Sequence, residues 1–264
     1  MIHRHRQRES TVIVVKNAAE LQKIRKACEI SARVLRLAGE KAVDGMSTWE
    51  LNRIIGEFLR NHGAKPSFLN YHGFRGNACI SINHELIHGI PSKKKILRNG
   101  DIVSVDVGAY LDGWHGDNAA TFPVGGTSAL SETAKRLLQV TEECLFAAIK
   151  TALPGSRIGD ISNTIQTYCE SRGFYVVRDY VGHGIGRDLH EAPDIPNFGK
   201  PGKGPRLTAG MTLCIEPMVN QSTKETKLLN DNWTVVEGNG NLCAHFEHTI
   251  VITEGQPLIL TKLD

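Results

Sequence analysis

Apolar and polar residues alternate over 78–83, 101–110, 114–124, 211–220 and 245–253, and each run predicts a β-strand. Helices begin at the capping signals Asn17-x-x-Glu20 and Ser47-x-x-Glu50. Gly63 and Gly173 are natural stops. A third helix is predicted from near Ser131 to about Thr151, ahead of Pro154-Gly155. The stretch 192–206, rich in Pro and Gly, reads as a loop.

The chain also aligns with itself at a shift of 110 residues. Gly45, Glu50, Leu51, Ile55, Phe58 and Gly63 fall on Gly155, Asp160, Ile161, Ile165, Tyr168 and Gly173, and the run 97–106 falls on 207–216. One constant shift spanning a helical block and a strand block indicates a duplicated αβ unit, its halves related by a pseudo-two-fold. Asp106 and Glu216 then end matching strands, symmetric about a shared centre. Helices with a mostly antiparallel sheet make an α+β fold. Residues 1–16 form a basic tail and lead-in, and 17–264 a single domain.

Asp106, Asp117, His183, Glu216 and Glu247 each sit in or beside one of these apolar runs. Ionisable groups rarely enter such runs unless something offsets the cost of burying charge. Four carboxylates and one imidazole suit two divalent first-row ions. The Asp112-Gly113 step signals a hairpin between 101–110 and 114–124. With Leu111-Asp112 as the loop, Asp106 opposes Asp117; with Asp112-Gly113, Asp117 opposes Gly108. Either register puts both carboxylates on one face, with Val103, Val105 and Val107 on the other. His183 lies among Gly182, Gly184 and Gly186, which let backbone approach a ligand, and His190-Glu191 follows on the same loop. Glu216 ends an apolar strand before Pro217, and Glu247 alternates with apolar positions, with no lysine or arginine close in sequence to either.

Composition narrows the picture. A charged fraction of 22% is ordinary for a soluble globular chain, and no apolar run is long enough to span a membrane. A net charge of +3 is too small to indicate DNA binding. The basic runs at 3–8 and Lys93–Lys95 read first as a solvated tail and loop, and second as a dock for an acidic partner such as the ribosome. Cys28, Cys79, Cys144, Cys169, Cys214 and Cys243 form no Cys-x-x-Cys pair, and the N-terminal stretch lacks the apolar core of a secretory signal. Reduced thiols in a cytoplasmic protein are expected. His84-Glu85-Leu86-Ile87-His88 matches the H-E-x-x-H zinc pattern, but that chemistry needs a helix. Strand-like alternation before it and Gly89-Ile90-Pro91 after it leave no room for one. His88 remains a separate candidate.

Taken in order, His88-Gly-Ile-Pro, Asp106, Gly116-Asp117, Gly-His183-Gly-Ile-Gly, His190-Glu, Ile-Glu216-Pro-Met and Glu247-His-Thr resemble type I methionine aminopeptidase, from about residue 17 onward. The resemblance is to the compact bacterial-style branch, without the zinc-binding extension or helical insertion of other relatives. It implies the pita-bread fold in two pseudo-symmetric αβ halves with a curved sheet. It also implies two divalent ions (cobalt, manganese, iron or zinc) on Asp106, Asp117, His183, Glu216 and Glu247, with Asp117 and Glu247 shared. His88 and His190 would hydrogen-bond the scissile peptide and Glu216 would shuttle a proton. Phe68, Tyr71, Phe74, Cys79 and Trp233 would line a methionine pocket. Phe68 stands where a cysteine is frequent, Phe74 where a tyrosine is, and Leu189 where an aromatic is, which bears on pocket shape. The implied activity is removal of the initiator methionine from nascent proteins when the next residue is small, by a monomer. The rival readings are an Xaa-Pro peptidase of the same fold, a non-enzymatic pita-bread binding protein, and a zincin built on His84 and His88.

Overall fold

Asp112 (φ 50°) and Gly113 (φ 84°) form the two-residue loop of a long hairpin in the computed structural model, which describes residues 12–263. Two left-handed residues match the twist of the flanking strands, and Asp-Gly tolerates them well. The hairpin belongs to a nine-stranded sheet. Its strands are β1 (Lys65–Pro66), β2 (Cys79–Ile82), β3 (Ile102–Leu111), β4 (Trp114–Pro123) and β5 (Val181–Gly184), followed by β6 (Glu191–Pro196), β7 (Thr212–Ile215), β8 (Glu247–Val251) and β9 (Leu258–Ile259). They run in the order β1-β3-β4-β8-β7-β5-β6, with β2 also on β3 and β9 on β8. Every pairing between these strands is antiparallel.

Four helices cover one face of this sheet. They are α1 (Ala18–Lys41), α2 (Thr48–Asn61), α3 (Glu132–Thr151) and α4 (Ile158–Glu170). Asn17 caps α1 in a reciprocal box with Glu20, while Ser47 and Ser131 cap α2 and α3. Val103, Val105 and Val107 pack with Val34, Leu51 and Leu59 on the first pair of helices. Leu213, Ile215 and Ile250 pack with Leu137, Leu145 and Ile161 on the second. Close approach requires a glycine at Gly116, where an added Cβ would lie 2.4 Å from the Cys28 nitrogen of α1.

The duplication is visible bond by bond. Gly45 N–H donates to Leu97 O and Leu97 N–H to Met46 O; 110 residues on, Gly155 N–H donates to Leu207 O and Leu207 N–H to Ser156 O. The bridge Ser47–Ile96 recurs as Arg157–Arg206. Gly100 and Gly210 share φ 91° just before β3 and β7.

Four expectations are corrected. The strand read at 211–220 breaks at Glu216-Pro217: β7 stays in the main sheet, and Met218–Asn220 joins a ribbon with Tyr175–Val176 and Cys243–His245. Pro217 has no N–H with which to continue a ladder. The run at 245–253 breaks opposite it, at Phe246, whose N–H bonds Pro217 O. The loop read at 192–206 begins as β6, an edge strand in which Pro193 and Pro196 cost no inner ladder bond. The basic run at 3–8 lies outside the described residues, and within the lysine loop Lys95 is not simply solvated but ion-paired with Glu85.

Glu85–Ile87 is itself a strand, so His84 and His88 do not share a helix face. His84 is exposed. His84→Ala is expected to leave peptide turnover within about twofold, the scale of an ordinary surface change. A steady-state assay showing lost activity would revive the zincin reading.

Candidate active site

The register gathers the acids on the sheet face opposite the helices. Gly108 pairs with Asp117, so Asp112-Gly113 is the loop and Asp106 opposes Ala119. Cys79, Asp106, Ala119 and Glu247 make one row across β2, β3, β4 and β8. On the neighbouring row the Thr249 hydroxyl donates to Asp117 O, Thr249 pairs with Cys214, and Cys214 with His183. Side chains two apart on a strand share a face, so both rows point the same way. Glu216 enters from the break between β7 and the ribbon, with Oε1 3.6 Å from His183 Nε2 and Oε2 3.4 Å from His245 Nε2.

This is an expensive arrangement in isolation. Asp106 Oδ1, Asp117 Oδ1, Glu247 Oε1 and His245 Nε2 are buried without a hydrogen-bond partner. Burial, then repulsion from Glu216, pushes the Asp117 carboxyl up to about 8. Burial and neighbouring carboxylates, Asp117 foremost, raise Asp106 and Glu247 well above the usual range. Burial pulls His245 down to about 3. The His183 Nδ1–H donates to Gly184 O at 2.9 Å, which leaves Nε2 as the acceptor facing Glu216. A divalent cation answers all of this, since orphaned oxygens and an aimed imidazole are the donors that such ions take. Asp117, His183, Cys214 and Glu247 offer ligand atoms within 4.8 Å of one another.

Cys214 and His245 did not emerge from the sequence. The signal for each was alternation: Cys214 stands two residues before Glu216, and His245 two before Glu247.

An apolar wall adjoins the acids. Phe68, Phe74 and Cys79 cluster with Ile185, Leu189 and Cys214, and Tyr71 and Trp233 pack against them. Cys79 belongs to both the wall and the Asp106 row. His190 is exposed, its ring 4.2 Å from that of His183 and its Nδ1 2.7 Å from Tyr71 Oη. His88 takes a left-handed conformation (φ 56°) rare for a non-glycine residue, which presents its ring edge-on to Trp233 and Tyr180. The predicted site residues thus occupy one region. A separate surface cavity of about 440 Å³, lined by Arg136, Arg172 and Phe174 among others, shares none of them.

Residues 22–254 match the sequence model of metallopeptidase family M24. The chain belongs to that family. This M24 protein is 51% identical to methionine aminopeptidase 1 of Bacillus subtilis over 252 residues, covering 96% of its own length and 100% of the relative's. The methionine aminopeptidase of Clostridium perfringens is 50% identical with the same coverage. Among solved structures, the methionine aminopeptidase of Thermotoga maritima superposes with a TM-score of 0.93 at 46% identity, covering 96% of this chain and 100% of that one. The prolidase of Pyrococcus furiosus gives a TM-score of 0.76 at 25% identity, over 95% of this chain and 66% of the prolidase. The pita-bread fold expected from the sequence is the fold of this M24 enzyme. Among the described residues no helix is long and apolar enough to cross a membrane.

Proposed function

We propose that the protein is a methionyl aminopeptidase that removes the N-terminal methionine from nascent proteins whose second residue is small. The observation that carries this reading is the adjacency of the buried acid cluster to a sulfur- and aromatic-lined wall, joined through Cys79. Asp106, Asp117, His183, Glu216 and Glu247 would hold two divalent ions (cobalt, manganese, iron or zinc). When bound, such ions supply a water nucleophile at neutral pH and polarise the scissile carbonyl.

The chain's own groups do the rest. Phe68, Tyr71, Phe74, Cys79 and Trp233 receive the methionine side chain, whose thioether favours aromatic neighbours. Tyr71 Oη lies 2.7 Å from His190 Nδ1 and fixes the orientation of that ring. His88 and His190 steady the scissile amide as its oxygen gains charge. The Glu216 carboxylate, lying between His183 and His245, takes the proton of the attacking water and returns it to the departing amine. We place this activity in the cytoplasm, where Cys144 and Cys169, neighbours in the core, would persist as thiols.

Greater similarity to the aminopeptidases than to the prolidase supports this reading over the Xaa-Pro alternative. The test compares peptides on the metal-restored enzyme. Met-Ala- is expected to exceed Met-Arg- by about 100-fold in kcat/KM, within the 10–200-fold range that pocket size alone can supply. Equal turnover of the two would remove the small-residue claim, and faster cleavage of Xaa-Pro peptides would favour the rival.

A further inference from the structure

We propose that Lys16, in the segment ahead of α1, is a positioning residue for His190 and acts through a buried ion pair with Glu191. The inference rests on the reading of His190 as a peptide-binding residue. Lys16 is only 4% exposed. Its Nζ lies 2.6 Å from Glu191 Oε2 and donates to Val14 O at 3.2 Å. The other oxygen, Oε1, accepts from the backbone N–H of Arg187 at 2.8 Å and of Asp188 at 3.3 Å. One carboxylate therefore joins the lead-in to the turn that carries Leu189 and His190.

The loop is wrapped tightly on this pair. A Cβ added at Gly186 would fall 2.4 Å from Glu191 Oε1 and 2.8 Å from Lys16 Cε, so a side chain there would push the pair aside. Gly186 O accepts from His115 N–H on the hairpin at 2.9 Å. The lead-in is anchored on both sides of the loop: Ile13 bridges Ala192, and Lys16 N–H donates to Gly210 O. His190 follows directly, exposed itself, with its backbone immediately before the paired carboxylate. Leu189, one residue earlier, is buried in the apolar wall.

A buried ion pair is a weak source of stability and a better source of conformational definition. Here the definition falls on the loop that holds one imidazole beside that of His183. Tyr71 and the His183 ring also hold the imidazole, but neither sets the backbone from which it hangs.

The test is a double-mutant cycle on metal-loaded enzyme with a Met-Ala-Ser peptide. Lys16→Met is expected to lower kcat by about 10- to 100-fold, the scale of an ångström's misplacement, with KM changed by less than about threefold. Bound metal is expected to match the wild type. In a His190→Ala background, Lys16→Met is expected to add less than about twofold, because the group it positions is gone. Independent, multiplying losses would overturn the positioning role while leaving the His190 reading intact. Full activity of His190→Ala alone would remove that reading and this proposal with it. Where Lys16→Met fails to fold, Glu191→Gln carries the same cycle, since it keeps an acceptor for Arg187 and Asp188.

Discussion

Asp117→Asn is expected to abolish peptide turnover while raising the melting temperature of the metal-free protein. The two effects have one origin. Asp117 is 3% exposed, and its Oδ1 is among the buried oxygens without a partner. As a proposed metal ligand it cannot be spared. Loss of several kcal/mol of metal-assisted stabilisation corresponds to at least about 1000-fold in rate. Without metal the same carboxyl is a burden, because burial and Glu216 hold it at about 8 when an ordinary aspartate ionises near 3.8. Near neutral pH that difference disfavours the folded state by something on the order of a few kcal/mol. An amide has no charge to desolvate. For a chain of this length, relief of that size raises the melting temperature by about 5 °C or more. Calorimetry on chelator-treated proteins, beside a kinetic assay on metal-restored ones, reads both. A variant that turns over peptide normally, or melts lower than wild type without metal, would contradict the argument.

The second large effect is the stability of the metal-free enzyme against pH. Asp106, Asp117 and Glu247 all have folded-state pKa values raised by burial and mutual repulsion. A raised acid keeps its proton in the folded state after the unfolded chain has shed it, so stability falls as pH rises toward the folded pKa. Buried histidines act in the opposite sense. His245 is lowered to about 3, and His115 and His248 to about 4, so their contribution to stability grows with pH until the unfolded histidines neutralise near 6.5. Above 6.5 only the carboxylates remain. The metal-free protein is therefore expected to lose stability between pH 6.5 and 8, the latter being the value about which Asp117 titrates. Saturating manganese should reverse the slope, because only the ionised ligands bind and binding expels their protons. At 100 times its dissociation constant a ligand adds about 2.7 kcal/mol. Urea midpoints at three pH values, with and without metal, decide the matter. A flat or rising metal-free series would mean that the acids are not strained together.

What the sequence disclosed was local or periodic. The Asp112-Gly113 turn, the alternation of β3 and β4 and the capping residues are read within a few positions, and the structure forms them. The 110-residue shift disclosed the halves because duplication turns a three-dimensional symmetry into a one-dimensional one. The missed features depend on distant partners. Pro217 marks the break locally, but where the chain goes after it depends on Phe246, far along the sequence, whose N–H bonds Pro217 O. His245 meets Glu216 across that crossing; its spacing from Glu247 marks the face but not the partner. β6 was hidden by its prolines, which are tolerable only at an edge, and edge status is a property of the whole sheet. Lys16 looked like the end of a basic tail; its carboxylate lies 175 residues away.

The seam between the duplicated halves has a consequence for how such a cradle could arise. Asp106 and Asp117 come from one repeat, and His183, Glu216 and Glu247 from the other. Neither repeat alone carries a full complement of donors. A single repeat could assemble the proposed donor set only by pairing with a second copy of itself.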